Sequence, residues 1–182
     1  MTNAMTRTHS RIDGFTVIEL LVAVVVIVVA SAAAFSVWNL IRAGQNAQQE
    51  SQALLGIVAE SRALYGTQGS FEGVSEVVLI DARMVPVTMI IPGNPPELQS
   101  SWNGLIRIAE NPIRSRRIDF IYADVPEDVC ARFVRRSHTA FDTIVVNGVP
   151  VKDVGMDLDV TLLATNCINS AGTITFTAGL SG

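Results

Sequence analysis

Residues 14–41 read GFTVIELLVAVVVIVVASAAAFSVWNLI. This stretch decides the architecture. From Leu20 to Ile41 no residue is charged, and Leu20–Trp38 is apolar apart from Ser31 and Ser36. As a helix, about 19 residues at about 1.5 Å each reach roughly 28 Å, close to the thickness of a bilayer core. Glu19 is the only charged side chain from Phe15 through Ile41. A carboxylate at the edge of such a run is costly to insert, about 2.5–3.5 kcal/mol at the bilayer centre, so its presence needs a reason.

Upstream lies a short polar leader, Met1–Gly14, with Arg7 and Arg11. A secretory signal places its cleavage site after the apolar run. Here a glycine stands before it, although Ala32–Ala34 also offers a small-residue site whose use would discard the run. The leader arginines favour a cytoplasmic N-terminus, with Arg42 on the far flank opposing them.

Working outward, nothing interrupts a helix from Phe15 to Tyr65, and the first proline is Pro86. After the greasy half comes a polar stretch containing Gln45, Asn46, Gln48, Gln49, Glu50 and Gln52. Leu54, Ile57, Val58, Leu64 and Tyr65 then recur at helical spacing, and Gly66 and Gly69 are stop signals. About 50 helical residues span about 75 Å, too long for a compact domain of this size. The expectation is one helix with two jobs: all-round apolar in 15–41, and one apolar stripe against a globular head afterwards.

In 66–182 the pattern predicts a loop at Gly66–Gly73 and a short helix at Ser75–Arg83. A proline- and glycine-bearing loop follows over Val87–Ser101. Strands are expected at Leu105–Ile108, Ile118–Tyr122, Phe141–Val146 and Thr173–Thr177. Pro126–Arg136 reads as a helix, with Pro126, Glu127 and Asp128 suited to its start and Arg132, Arg135 and Arg136 to its end. Val129 and Phe133 would face the core. The expected fold is α+β: a long N-terminal helix packed on a head with an antiparallel sheet and short helices.

The motif Gly14-Phe15-Thr16-Val17-Ile18-Glu19, after a basic leader and before some 20 apolar residues, resembles the type III signal of type IV pilin precursors. The resemblance implies cleavage between Gly14 and Phe15 by a prepilin peptidase, methylation of the Phe15 amine and retention of the helix. It also implies that Glu19 sets register in a filament. Head segments extend the likeness to type IVb pilins, above all the conjugative thin-pilus group. These are Gly69-Ser70-Phe71 with Val85-Pro86, Ser101-Trp102-Asn103-Gly104, Val125-Pro126 with Val129-Cys130, Phe141 through Val146-Asn147-Gly148, and Cys167 with Ile174-Thr175-Phe176. Asn103-Gly104 stands where a double glycine is expected. The implied domains are 1–14 leader, 15–65 helix and 66–182 head. The implied partners are further copies of the chain, the peptidase and the inner-membrane assembly machinery. The implied place is the inner membrane first, with the head periplasmic, and then an extracellular filament.

Composition and motif searches constrain the other classes. The net charge of −4 argues against a nucleic-acid protein. No nucleophile elbow, phosphate loop or metal spacing is present, so neither an enzyme nor a cofactor is expected. Asp157 and Asp159 alternate like a solvated strand face rather than a calcium loop. Arg114, Arg116 and Arg117 form a basic knot that suits solvent or acids of a neighbouring subunit better than the alternative, DNA or another anionic surface, and His138 reads as a surface histidine. Cys130 and Cys167 would pair in an oxidising periplasm and tie the 126–136 helix to the C-terminal strand region, the alternative being two reduced buried thiols. A minor pilin, a secretion pseudopilin and a membrane-anchored periplasmic binding domain remain the competing functions.

Overall fold

The computed structural model describes residues 17–168 and 172–180, with backbone only for 32–40. The chain divides into two compact units, Met1–Asn39 and Leu40–Gly182. Helix α1, Val17–Gly66, contributes to both. The expected start at Phe15 lies outside the described residues.

In the second unit α1 is bound by a stripe at helical spacing: Ala43, Ala47, Leu54, Ile57, Val58 and Tyr65 are buried. The stripe starts earlier than the large apolar residues suggest, because small alanines carry its first turns. Leu64 is off it and 39% exposed. Past the helix, Gly69 takes a left-handed φ of 72° and its N–H returns to the Tyr65 carbonyl, closing the end of the helix.

Helix α2 covers Glu76–Asp81 with Ser75 as its cap, the Ser75 side chain accepting from the Val78 N–H. The strands are β1 Ile90–Ile91, β2 Glu97–Gln99, β3 Leu105–Glu110, β4 Arg117–Val125, β5 Thr143–Val146, β6 Val149–Lys152 and β7 Gly172–Gly179. Helix α3, Glu127–Ser137, follows β4, and helix α4, Val160–Cys167, precedes β7. All seven strands form one antiparallel sheet in the order β1-β2-β3-β4-β7-β5-β6. The last strand therefore sits in the middle, between β4 and β5.

Alternation explains the sheet's faces. Ile118, Phe120 and Tyr122 of β4 and Ile174 and Phe176 of β7 are buried. Phe133 of α3 meets Tyr122 and Phe176 edge-on, with ring centres 4.9 and 5.1 Å apart. On the opposite face Asp119 accepts from Asn111 and from the Thr177 hydroxyl at 2.7 Å, a satisfied polar pair between β4 and β7.

Several expectations are corrected. The Val87–Ser101 loop contains two short strands at the sheet edge, where prolines such as Pro92 and Pro95 are tolerated. Strand β6 follows a two-residue Asn147-Gly148 turn with φ of 52° and 81°, the geometry of a type I′ hairpin. Its Pro150 is allowed because β6 is the other edge. Asp157 and Asp159 are not on a strand: both precede α4, and Asp159 caps it by accepting from the Thr161 and Leu162 N–H groups. Phe141 ends a 3-10 turn before β5 rather than opening the strand.

Candidate assembly site

The sequence singles out five site residues. Gly14 and Phe15 lie outside the described residues. Glu19 stands in the first turn of α1, where a carboxylate suits the positive end of the helix dipole, and it is exposed. Around it the apolar side chains are exposed on every side, from Val17 at 77% to Val29 at 65%. Leaving eleven such side chains in water rather than burying them costs on the order of 20 kcal/mol. This surface requires a lipid or protein partner. Among the described residues no helix is long and apolar enough to cross a membrane. The side chains of the run are described only to Ser31, and the sequence stays largely apolar through Trp38.

Cys130 and Cys167 form a disulfide, with S–S 2.04 Å and Cα–Cα 5.7 Å. It joins α3 to α4, not to the strand that follows. Helix α4 was hidden because its sequence, VTLLATNC, is rich in β-branched and short polar residues.

A further site was not legible from residue types. Glu50, within the polar stretch of α1, is 3% exposed. Its Oε2 accepts from the Ser101 N–H at 2.9 Å. Its Oε1 and the buried Tyr122 Oη lack hydrogen bonds of good geometry. Burial pushes the Glu50 carboxyl above the usual carboxylate range, and the bonds from Ser101 pull the other way. Burial, reinforced by the Glu50 charge, pushes the Tyr122 phenol well above its usual value.

The Ser101-Trp102-Asn103-Gly104 segment is built to receive that helix. Asn103 has φ 68°, and a Cβ at Gly104 would collide with the Ala123 carbonyl. Position 103 thus needs a residue tolerant of left-handed backbone, which asparagine is, whereas position 104 has room only for glycine. The Ser100 Oγ and backbone N–H both bind the Gly104 carbonyl. Trp102 packs on Tyr122 and Phe133 at 5.9 and 5.4 Å. Farther along α1, Arg62 donates to the Gly179 and Ala140 carbonyls, both at 2.9 Å. The amphipathic half of α1 is therefore fastened at two levels.

The basic knot is divided. Arg117 pairs with Asp142 at 3.6 Å, whereas Arg114 and Arg116 are exposed. His138 is half-buried, its Nδ1 2.8 Å from the Arg135 carbonyl. Among the described residues no cluster of His, Cys, Asp or Glu is arranged to hold a metal.

Residues 44–179 match the family model described as PilS N terminal, and residues 9–35 match the prokaryotic N-terminal methylation motif. No curated protein matches the chain in sequence. Among solved structures the fold is similar to that of TcpA, a type IV pilin from Vibrio cholerae El Tor biotype. The TM-score is 0.56 at 14% identity, over 74% of this chain and 99% of that one.

Proposed function

We propose that this chain, which belongs to the PilS family, is a type IV pilin polymerised into a pilus as a structural subunit; its N-terminal methylation motif and its pilin-like fold support the reading. The observation that carries this reading is the run 17–31: a helix apolar on all sides, exposed throughout, with Glu19 as its one charge. Such a helix is fitted to lipid first and to a bundle of its own kind later.

In this reading a prepilin peptidase cuts between Gly14 and Phe15 at the cytoplasmic face of the inner membrane. Gly14 has no side chain to obstruct close approach to the backbone. The Phe15 amine is methylated, and the helix stays in the bilayer with the head periplasmic. The assembly machinery then extracts the subunit into an extracellular homopolymer.

Apolar packing is non-directional and leaves axial register open. A single charge pair in a low-dielectric bundle can set it, as a buried polar residue fixes register in a coiled coil. Glu19 is four residues after Phe15, one helical turn along the same face. The amine of an entering subunit seeks the Glu19 of the one before it. Glu19→Val should leave insertion and cleavage intact but abolish or severely reduce the filaments recovered by shearing cells. Co-expression with the native subunit should restore partial incorporation. Filaments of normal number and length in the variant would show that register comes from elsewhere.

A further inference from the structure

Several charges of the second unit are spent inside it. Lys152 donates to the His138 and Phe141 carbonyls, Arg62 to those of Gly179 and Ala140, and Arg117 faces Asp142. The turn between β3 and β4 is different. Asn111 builds it: its Oδ1 accepts from the Ile113 and Arg114 N–H groups, both at 3.1 Å, and its Nδ2 is tied to Asp119. The turn so held puts Ile113 out at 87% exposure, with the exposed Arg114 and Arg116 beside it. Neither arginine has a carboxylate within ion-pair distance among the described residues. Turn chemistry asks for asparagine, glycine or serine at such a tip and gives no reason for an isoleucine.

A surface of opposite character follows β6 in the same unit. The Met156 N–H returns to the Asp153 carbonyl at 3.0 Å, with Gly155 at φ 73°, and the Asp159 N–H binds the Val151 carbonyl at 2.8 Å, so this loop too is ordered. It exposes Val154, Val160 and Met156, the last at 68%, among Asp153 and Asp157. Asp159 is spent on capping α4, whereas Asp153 and Asp157 have no cationic partner among the described residues. Turn and loop leave the sheet at the same end, since Glu110 pairs with Ile118 there and Lys152 with Ile144. Strands β4 and β6 are three inter-strand spacings apart, about 14 Å. Ile113 therefore stays exposed in its own chain, and its match lies on another. We propose that Ile113, Arg114 and Arg116 of one copy dock on the 153–160 loop of a second copy, the isoleucine against Val154 and Met156 and the arginines against Asp153 and Asp157. This rests on the subunit reading, which supplies the second copy. Charge complementarity selects the partner and its register, and a flexible methionine lets the apolar contact adapt.

The test uses the full chain in cells. One tagged copy carries Ile113→Cys, a second copy with a different tag carries Met156→Cys, and the two are co-expressed. Mild oxidation should give a covalent pair bearing both tags, lost on reduction, with a peptide joining positions 113 and 156. Val87→Cys in place of Met156→Cys, comparably exposed to Ile113 but beside β1 at the other edge of the sheet, should give far less of it. Arg114→Glu with Arg116→Glu should reduce the pair several-fold, each exposed ion pair being worth up to about fivefold. Asp153→Arg with Asp157→Arg in the other copy should then restore it, which a folding defect would not allow. The pair is sought both in sheared filaments and in membranes. A chain missing from the filaments would fail the subunit reading, and the membrane fraction would still decide the contact. No covalent pair in either fraction, an equal yield with Val87→Cys, or a charge exchange that restores nothing would overturn the proposal and assign the turn to an acidic surface of some other molecule.

Discussion

Glu50 shows how one residue couples the second half of the long helix α1 to the head. Its place in a run of glutamines suggests a solvated face. Helical geometry puts it instead on the stripe of Ala43, Ala47 and Leu54, where the Ser101 N–H and the Tyr122 phenol meet it. Because burial raises its folded-state pKa above the usual 4.5, the folded protein holds the proton more tightly than the unfolded chain. The stability it contributes is fully present below about pH 4.5 and is lost as pH rises through the folded value. Urea midpoints of the native protein should therefore carry a component that falls as pH rises above 4.5, and Glu50→Gln should remove that component. At pH 7 the glutamine variant should be at least as stable as the native protein, since its amide keeps an acceptor for Ser101 and offers Tyr122 a donor. Glu50→Ala should cost about 1–3 kcal/mol by stranding the Ser101 N–H. Identical pH slopes in Glu50→Gln and native protein would remove Glu50 as the buried proton site.

At the scale of elements, long regular patterns were legible and short edge pieces were not. Helix α1, β3, β4, β7 and α3 carry periodicities that their surroundings reinforce. Strands β1 and β2 are two and three residues long among prolines, too short for a period to register. Asn147-Gly148 between Val146 and Val149 is a strong hairpin signal, yet Pro150 argues against a strand until the edge position of β6 is known. For α4 the legible cue was Asp159 as a cap, which alternation with Asp157 disguised. In the candidate site the disulfide partners followed from compartment and count, whereas Glu50 depends on which side of a helix meets which neighbour. The Cys130–Cys167 bond closes a separation of 37 residues that contains β5, β6 and most of α4, the elements outside β7. In the chain-entropy model it contributes about 3–4 kcal/mol. Replacing both cysteines with serine should lower the unfolding free energy by that amount. Thiol labelling of the denatured, unreduced native protein should find no free thiols; two per chain would contradict the bond.

At the scale of the whole molecule, the topology defers completion of the head to the end of the chain. Strand β7 pairs with both β4 and β5, so until it arrives the sheet is two separate pieces with open edges. A chain held at the membrane by its first apolar residues can complete the head while the helix stays out of water. In the pilus proposed above, the same exposed helix surface would pass from lipid to identical helices, one apolar surrounding replacing another, so packing and the Glu19 charge pair would have to supply the preference for the polymer. The family match, the pilin-like fold and the Glu19-bearing run are the observations behind this proposed sequence of events. It is tested most directly by mass spectrometry of the subunit in filaments sheared from the cell surface. The account predicts an N-terminal peptide beginning at Phe15, methylated on its amine, in a subunit whose two cysteines are joined. A filament fraction that lacks this chain, or contains it with Met1 or a residue beyond Ala34 at its N-terminus, would contradict it.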